Sequence, residues 1–573
     1  MKIIIPGQNI LAWIAGCCLP LLYCLIYAPY GMDSTDFGFF YAYPWRLLQG
    51  QVPYRDFYFI TPPAALYWHA FWMLLTPEKI SVLAGKLSLV IELAAAAWMG
   101  ALYLASIFDL KRMQVPVPLL AALGFVWGIH SFPPMPWHTV DGVFFGAAAL
   151  YAGISGCPVL AGMLALVCML TKQSYLFVPF ALLLMIFCCR PGKKEVVRCV
   201  FGMLLVLAAH YLSLRCLGAW EAFCRLTSGQ LDVNEALKAG IFIYIKQNWL
   251  LPAVALLPWL LWRIKKSPAP FFAQPVPLYF ILLACMYIYE VFTQKGWIGF
   301  GDSWPTLCMV AGGLAVLFPT VFFSEHLRDE LAEEQARYRL SRLVRASVAF
   351  GALLVLSWSV AISGGYKSPA FFAVPLLFSA LLVHARLAGR VLPLAWLALL
   401  CALLMFRAGY EYPYVFPVRD MPRASLVHDA GQLYPKAGGV YVDEEMFAKL
   451  RELRELRERY GANYKTMPAF SLSYFLNNDF PLVPSDWLLD WQINAEVDKV
   501  YKFLLDRDIV VFMERDQMGV EKPDDYDSRR YSVPLLVSNK WKKLEETRHF
   551  VVFKAPEQPA SAGEADKKEV PEP

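Results

Sequence analysis

The sequence predicts a membrane all-α protein of about thirteen transmembrane helices, followed by a small α/β domain at the C-terminus. Of its 573 residues, 58% are hydrophobic and only 17% are charged, which is less charge than soluble proteins carry. Apolar runs of roughly 15 to 25 residues recur from Ile10 to Phe406, and each can cross a bilayer core of about 30 Å as a helix. After Arg407 the composition becomes that of a soluble domain.

These changes in composition divide the chain into three predicted segments. Residues 1–407 form the polytopic domain, and residues 408–555 form the soluble domain. Residues 556–573 are mostly Pro, Glu, Lys and Ala, with almost no large apolar side chains, so we expect a disordered tail.

The first predicted span, Ile10 to Ala28, is expected to be a retained anchor, because no small-residue cleavage site follows it. The formal charge of +5 is modest, and the basic residues lie in short loops, so no nucleic-acid partner is expected. All 13 cysteines lie at or before Cys401. Their spacing matches neither a disulfide framework nor a zinc site.

Short basic loops orient the predicted spans, because such loops stay in the cytoplasm. These loops are Lys111–Arg112, Arg190–Arg198, Arg263–Lys266, Arg328–Arg345 and Arg386–Arg390. Threading the apolar runs between them places the soluble domain and four other segments outside the cytoplasm. Those segments are Pro29–Glu78, His130–Trp137, Gly218–Asn248 and Gln294–Trp304.

The apolar run from Val159 to Cys189 is interrupted by the polar residues Thr171 to Ser174. At about 1.5 Å per residue the run is too long for one upright helix. We therefore predict two short spans that meet at an outer turn. A single tilted helix is the alternative, and it would invert the topology upstream.

Both helix and strand patterns occur in the predicted soluble domain. A charged helix is expected from about Glu444 to Tyr460, with Gly461 as its stop. Strand-like runs are expected at Gly439–Val442, Asp508–Met513 and His549–Lys554. Together they predict a small α/β fold.

The first outer loop, residues 29–78, is the best candidate for an active site. It contains the carboxylates Asp33, Asp36 and Asp56, which are costly beside a bilayer unless water or a substrate meets them. We expect a helix over Ser34–Tyr43 that lies on the membrane surface and is broken at Pro44.

A second helix, Ala64 to Leu75, is expected after Pro62–Pro63. Its Trp68, Trp72 and Leu75 suit a membrane interface.

Several residues of this loop resemble the GT-C superfamily of polytopic glycosyltransferases, which includes protein O-mannosyltransferases and the transferases that add aminoarabinose to lipid A. The matching residues are Asp36, Leu47–Gly50, Pro53–Phe57 and Pro62–Pro63, with further likeness at Gly162–Lys172. The layout of about a dozen spans and an outer soluble domain is similar as well.

The resemblance implies that Asp36 is the catalytic base. Phe37 stands where a second carboxylate is often found in the superfamily, so Asp33 is a candidate for the missing charge. No cofactor is assigned, and a divalent metal is left open. A carboxylate that takes the proton of an attacking sugar hydroxyl contributes roughly 10²- to 10⁴-fold in rate.

The predicted compartment indicates the donor, because nucleotide sugars are confined to the cytoplasm. We therefore expect a polyprenyl-phosphate sugar as donor and a lipid, glycan or protein as acceptor, with membrane lipids around the protein. A departing phosphate requires cations. The candidates are Arg55, Lys172, Lys86 and Lys295, of which the first two are favoured.

Each candidate also has a structural explanation. Asp36 or Asp33 could cap the surface helix, and Asp56 could pair with Arg55 and shape the turn. Lys172 could extend from a short span toward the interface.

His138 and Asp141 lie three residues apart, on one face of a helix at the start of a predicted span. They could supply a second acid or contact the acceptor. Alternatively, Asp141 only favours a helix N-terminus and His138 lies in water. Glu92 and Glu290 fall within spans, where carboxylates suggest function, but the sequence assigns them to no site.

These expectations describe a glycosyltransferase of a bacterial inner membrane with an extracytoplasmic C-terminal domain. One alternative is a cell-envelope polysaccharide polymerase or ligase, although such proteins usually carry their large soluble part in an internal loop. A polytopic transporter is the other alternative. It predicts helices broken at corresponding positions in two halves, a pattern that the sequence lacks.

Overall fold

The protein is described here as a computed structural model. The residues that it describes are 7–33, 36–107, 117–129, 132–190, 192–228, 333–363, 403, 406–407, 409–416, 419–490, 492–493, 496–515 and 531–556. The expected count of thirteen spans therefore falls partly outside the described residues.

Most of the described residues are helical. The helices are α1 (Gly7–Ile26), α2 (Asp36–Leu48), α3 (Ala64–Leu75), α4 (Ser81–Ile107), α5 (Val117–Ile129), α6 (His138–Ser155), α7 (Pro158–Met169), α8 (Phe177–Cys189), α9 (Lys193–Cys216), α10 (Trp220–Thr227), α11 (Glu333–Ser363), α12 (Glu444–Tyr460), α13 (Ser473–Asn477), α14 (Val497–Asp506) and α15 (Ser532–Lys540). The strands are β1 (Tyr414–Phe416), β2 (Arg419–Met421), β3 (His428–Asp429), β4 (Tyr441–Val442), β5 (Tyr464–Met467), β6 (Val510–Glu514), β7 (Lys542–Glu546) and β8 (Phe550–Lys554).

The chain divides into two compact units. The first, which we call the helical unit, contains Met1–Met32, Val52–Arg55 and Phe59–Glu444. The second, the mixed unit, contains Asp33–Gln51, Asp56–Tyr58 and Glu445–Pro573. This division differs from the predicted boundary at residue 407.

The residues from 408 to 444 belong to the helical unit. Tyr441 in this range pairs with the chain just after α1. Tyr441 N donates to the carbonyl of Pro29 at 2.8 Å, and Gly31 N donates to the carbonyl of Tyr441 at 2.8 Å. A change in composition does not reveal such pairing between distant parts of the chain.

Apolar residues of α4, α5, α6, α8 and α11 form the core of the helical unit. They include Leu93, Val126, Leu150, Leu182 and Leu356, all of which are buried. Large apolar side chains also face outward from α1, α8 and α9, as at Leu25, Phe187 and Val197. An extended apolar surface of this kind is typical of helices that face lipid or a partner.

By length and composition, two of the described helices could cross a membrane. They are Glu78–Ile107, which includes the turn before α4, and Lys193–Cys216, which is α9. The other apolar helical segments among the described residues are shorter, with 10–17 residues, as at Ala64–Leu75 and Pro158–Met169.

The run from Val159 to Cys189 forms the two helices α7 and α8, so the two-helix prediction is confirmed and the single tilted helix is wrong. α7 ends at Met169, and a short 3₁₀ turn at Gln173–Leu176 leads into α8.

The mixed unit contains a four-stranded sheet in the order β5-β6-β8-β7. β5 and β6 are parallel, with Tyr464 opposite Val510, and the crossover that a parallel pair requires contains α13 and α14. β8 is antiparallel to both β6 and β7. α12 has the predicted bounds, and Gly461 follows it at a φ of 80°, where glycine is favoured.

Each of the three predicted strand-like runs contains a strand; these strands are β4, β6 and β8. The sequence did not indicate β7, whose residues Lys542 to Glu546 are mostly charged and exposed. Charged residues are common on edge strands, where they discourage pairing with other chains.

The prediction for the first loop helix was wrong in its bounds and its surroundings. α2 runs from Asp36 to Leu48 through Pro44, although proline in a helix interior costs about 3 kcal/mol. Residues Phe37 to Pro44 are all buried, so α2 is a core element of the mixed unit and does not have one apolar face. We infer that this packing offsets the cost of Pro44. The second predicted helix is confirmed, since α3 has the expected bounds Ala64 to Leu75.

Candidate functional site

The two acids at the start of α2 occupy different positions. Asp33 is 6% exposed, and its Oδ1 accepts the backbone N–H of Phe37 at 3.4 Å. Asp36 is the first residue of α2 and is half-buried. The capping role that the sequence left open therefore falls on Asp33, and Asp36 stays the candidate base. Asp56 is half-buried in the mixed unit, and its pairing with Arg55 stays a prediction.

Arg55 lies in the part of the first loop that belongs to the helical unit. Its side chain is exposed, and Nη1 donates to the carbonyl of Leu217, just after α9, at 3.2 Å. The preceding Tyr54 is buried with a φ of 69°, a conformation that is uncommon for residues other than glycine. Its hydroxyl donates to the carbonyl of Thr61 at 2.6 Å, and its ring contacts Phe223.

Lys172 lies in the turn between α7 and α8. It is half-buried, and its Nζ is 3.3 Å from Thr139 Oγ1 in the first turn of α6. The neighbouring Gln173 donates from Nε2 to the carbonyl of Ile60 at 2.5 Å. These contacts join the turn to the first-loop segment that follows Arg55.

Arg55 and Lys172 consequently lie at the same end of the helical unit. α6, α7, α8 and α9 follow one another through short connections, so they alternate in direction. The start of α6 and the end of α9 then fall at one end, and Arg55 and Lys172 contact those two places.

A buried polar cluster connects α3, α4 and α6 within the same unit. His69 Nε2 lies 2.8 Å from Asp141 Oδ2, and Trp68 Nε1 donates to Glu92 Oε1 at 2.8 Å. The carboxyl groups of Glu92 and Asp141 also interact electrostatically. Asp141 thus does more than favour a helix N-terminus.

Sequence reasoning missed His69 altogether and left Glu92 without a site. The only available signal for Glu92 was its position inside an apolar run. Glu92, His69 and Asp141 lie on separate helices, so no spacing along the chain relates them.

His138 is half-buried rather than fully exposed to water, which corrects the alternative that placed it in water. It is the first residue of α6. Its expected contact with the acceptor stays a prediction.

Lys86 is not available to a donor phosphate in this structure, which corrects that prediction. Its side chain is fully buried, and its Nζ donates to the carbonyls of Tyr30, at 2.8 Å, and Gly31. The lysine therefore satisfies carbonyl groups where the chain leaves α1.

Two further candidates, Lys295 and Glu290, lie outside the described residues. Among the residues that are described, no group of three or more His, Cys, Asp or Glu is arranged to hold a metal ion. The structure therefore assigns no metal ligands.

Comparisons with known proteins were made by sequence and by structure. No protein-family model matches the chain, and no curated protein matches it. Among solved structures, it is similar to the archaeal oligosaccharyltransferase AglB from Archaeoglobus fulgidus in complex with an inhibitory peptide and a dolichol-phosphate. The identity is 13% and the TM-score 0.44, over 94% of this chain and 72% of that chain.

The chain is also similar to ArnT from Cupriavidus metallidurans in the apo state. The identity is 15% and the TM-score 0.36, over 96% of this chain and 99% of that chain.

Proposed function

We propose that the chain is a polytopic membrane glycosyltransferase of GT-C type. It transfers a sugar from a polyprenyl-phosphate donor to an extracytoplasmic lipid, glycan or protein acceptor, in the inner membrane of a bacterium. In this proposal Asp36 is the catalytic base, and Arg55 and Lys172 bind the donor phosphate.

The observation that supports the proposal best is the shared position of Arg55 and Lys172 at one end of an apolar helical unit. Both cations are at least partly accessible. Arg55 donates to the carbonyl of Leu217 at 3.2 Å, and Lys172 donates to Thr139 Oγ1 at 3.3 Å. A polyprenyl phosphate keeps its chain among lipids and its phosphate at the interface. Cations at the end of a helical bundle are suited to such a ligand.

The proposed reaction is a direct displacement at the anomeric carbon of the sugar. The acceptor hydroxyl oxygen attacks that carbon while the bond from the carbon to the phosphate oxygen breaks, and the electron pair leaves with the polyprenyl phosphate. Asp36 takes the hydroxyl proton. Arg55 and Lys172 stabilise the negative charge that develops on the departing phosphate.

Asp141 and its partners fit a positioning role in this scheme. Asp141 lies one helical turn from His138 and two residues from Thr139, which Lys172 contacts. Its contacts with His69 and Glu92 fix α6 against α3 and α4. We therefore propose that the cluster holds the first turn of α6 in place beside Lys172.

A donor assay tests the proposed function. Purified protein in lipid nanodiscs is incubated with polyprenyl-phosphate sugars or nucleotide sugars, together with a membrane extract that supplies acceptors. We expect transfer only from the lipid-linked donor, because the proposed cations bind a phosphate that its lipid holds at the membrane interface. Turnover of a nucleotide sugar in the absence of a lipid carrier would contradict the proposal.

A further inference from the structure

Arg46, near the end of α2, is fully buried and held by the mixed unit. Its Nη2 donates to Asp486 Oδ1 at 3.0 Å, and its Nε donates to the other carboxylate oxygen. The guanidinium also donates to the carbonyl of Val483 and to the side chain of Gln51. A planar guanidinium bound through two parallel hydrogen bonds fixes orientation as well as distance.

Asp486 is itself held from the sheet. Lys465 on β5 is fully buried, and its Nζ donates to the carbonyl of Asp486 at 2.8 Å and lies 3.8 Å from Oδ1. Burial lowers the pKa of Lys465 to about 8, and Asp486 offsets only part of that effect. The residue that binds Arg46 is therefore anchored to β5.

The same segment of the mixed unit binds neighbours of Arg46. Trp45 Nε1 donates to the carbonyl of Asp479 at 3.1 Å, and Gln51 Nε2 donates to the carbonyl of Pro481 at 2.8 Å. Residues 479–486 thus contact α2 and the chain just beyond it through Asp479, Pro481, Val483 and Asp486. Among these contacts the Arg46–Asp486 pair is ionic.

The N-terminal half of α2 packs closely as well. A Cβ atom added at Gly38 would lie 2.9 Å from the backbone N of Leu472, so the helix can approach this closely only with glycine there. Phe37 is fully buried, whereas Asp36 is half-buried. The tightly held helix therefore begins with the half-buried Asp36.

We propose that the Arg46–Asp486 pair is a positioning device that fixes α2, and through it the carboxylate of Asp36, for sugar transfer. This inference rests on the proposed function, in which Asp36 is the base. Ten residues of helix separate Asp36 from Arg46, about 15 Å, so a change in tilt at Arg46 displaces the carboxylate. Residues 479–486 then contribute to sugar transfer through their hold on this helix.

An ion pair at this place is better explained by orientation than by stability. Buried ion pairs are often no more stabilising than apolar residues of similar volume. A bidentate pair, however, accepts one geometry only. The positioning role therefore predicts that activity and stability respond differently when the pair is removed.

The test uses the full chain in nanodiscs and the variant Asp486→Asn. We expect kcat to fall by about 10²-fold, because displacement of a reacting group by about 1 Å lowers the rate by that amount. Hydrogen exchange over residues 36–48 should also become faster. Binding of undecaprenyl phosphate should stay within about twofold, because Arg55 and Lys172 are unchanged. Asp490→Asn is the matched control.

Asp490 lies four residues further along the same segment, and its carboxylate binds N and Oγ of Ser532 on α15 at 3.0 Å and 2.6 Å. The same chemical change there should leave kcat and the exchange of residues 36–48 at their wild-type values. Loss of kcat in both variants to the same extent would overturn the positioning role, because it would reflect general damage to the mixed unit.

The double variant Arg46→Met/Asp486→Leu covers the case in which Asp486→Asn does not fold. It removes both charges of the pair, while Lys465 keeps its hydrogen bond to the backbone carbonyl of residue 486 and its interaction with Glu514. We therefore expect an unfolding temperature close to that of the wild type, with low kcat. Wild-type kcat in this variant would overturn the inference. Asp36→Asn tests the proposed function separately. Full activity of that variant would show that Asp36 is not the catalytic base. If Asp36→Asn is inactive and the double variant is fully active, only the positioning role is overturned.

Discussion

At the scale of single residues, Asp33 and Asp36 occupy different positions at the start of α2. Asp33 precedes α2 and accepts the N–H of Phe37, whereas Asp36 is the first helical residue and is half-buried. The sequence left the roles of cap and base open because either acid has a chemically suitable side chain for both.

We predict that Asp36→Asn abolishes sugar transfer, because the amide has nearly the same shape but takes no proton at neutral pH. Asp33→Asn should keep most of the activity, since its amide oxygen can still accept the N–H of Phe37. Initial rates with the lipid-linked donor measure both effects, and immunoblots of membranes control for protein level. Full activity of Asp36→Asn with chemistry limiting would redirect the search for the base to Asp33 and Asp141.

The proposed phosphate contacts give a second prediction. Arg55→Ala and Lys172→Ala should each weaken undecaprenyl phosphate binding by about tenfold, the loss of one charge-assisted contact. Arg55→Lys should keep part of the affinity, because the charge survives but the planar fork is lost. Binding to purified protein in nanodiscs measures these effects.

Lys193→Ala is the control for the phosphate contacts. Lys193 is exposed and lies at the opposite end of α9 from the carbonyl that binds Arg55. Equal loss of affinity in Lys193→Ala would indicate a nonspecific effect of charge and would contradict the assignment.

Lys465 gives a prediction about pH. Its pKa in the folded protein is about 8, against 10.5 for a free lysine side chain. Between these values the folded state has released a proton that the unfolded state still binds, so stability rises with pH. The gain is about 3 kcal/mol at most. Asp486, Arg46 and Glu514 are the charged groups around it.

The measurement compares unfolding temperatures of the wild type and Lys465→Met from pH 7 to pH 10.5. The wild type should gain stability relative to the variant as the pH rises, because the variant lacks the titrating group. Parallel curves for the two proteins would show that Lys465 keeps an ordinary pKa.

At the scale of elements, close helix packing depends on two glycines that face each other across α7 and α9. A Cβ atom at Gly162 would lie 2.0 Å from the carbonyl oxygen of Cys199, and one at Gly202 would lie 2.1 Å from that of Val159. Small residues allow such approach between helices in a membrane.

We predict that Gly162→Ala or Gly202→Ala destabilises the helical unit, because the added methyl group collides with backbone that cannot move freely. Overpacking of this kind costs roughly 1 to 3 kcal/mol, which should lower the unfolding temperature in detergent. Gly351→Ala on α11 is the control, since nothing lies within 4 Å of its added Cβ. A similar loss in Gly351→Ala would show that the effect does not come from the contact between α7 and α9.

α2 shows where an element depends on tertiary context. Its proline predicted a break, and its alternating aromatic residues suited a membrane surface. In the structure it is continuous and buried, with the rings of Tyr41 and Phe475 5.7 Å apart. α3 and α12, by contrast, have the predicted bounds, because Pro63 and Gly461 mark one end of each in the sequence itself.

At the scale of the whole molecule, the basic loops predict the topology: a cytoplasmic N-terminus and an outer segment from Arg407 to Pro573. A periplasmic reporter fused after Pro573 should therefore be active, and a cytoplasmic reporter at the same place should be inactive. Fusions after Lys194, in a predicted cytoplasmic loop, should give the reverse pattern. The opposite result at Pro573 would place the loop carboxylates on the cytoplasmic side of the membrane, away from the proposed lipid-linked donor.

The sequence alone determined the features that depend on neighbours along the chain. Apolar length and composition predicted the helical part, polar residues from Thr171 to Ser174 predicted the break between α7 and α8, and glycine and charge pairs predicted α12. Residue identity also selected Asp36, Asp141, Arg55 and Lys172 as candidates. Each of these signals is local, because helix formation and solvent preference are settled within a few turns.

Only the tertiary structure decided which polar groups meet. It joined Arg46 to Asp486, enclosed Lys86 between two carbonyl groups, and brought Glu92 and His69 to Asp141. The partners in each case come from separate elements, and no spacing in the sequence encodes their distance. Buried polar groups must find hydrogen-bond partners wherever packing provides them, so their roles follow from how the elements pack.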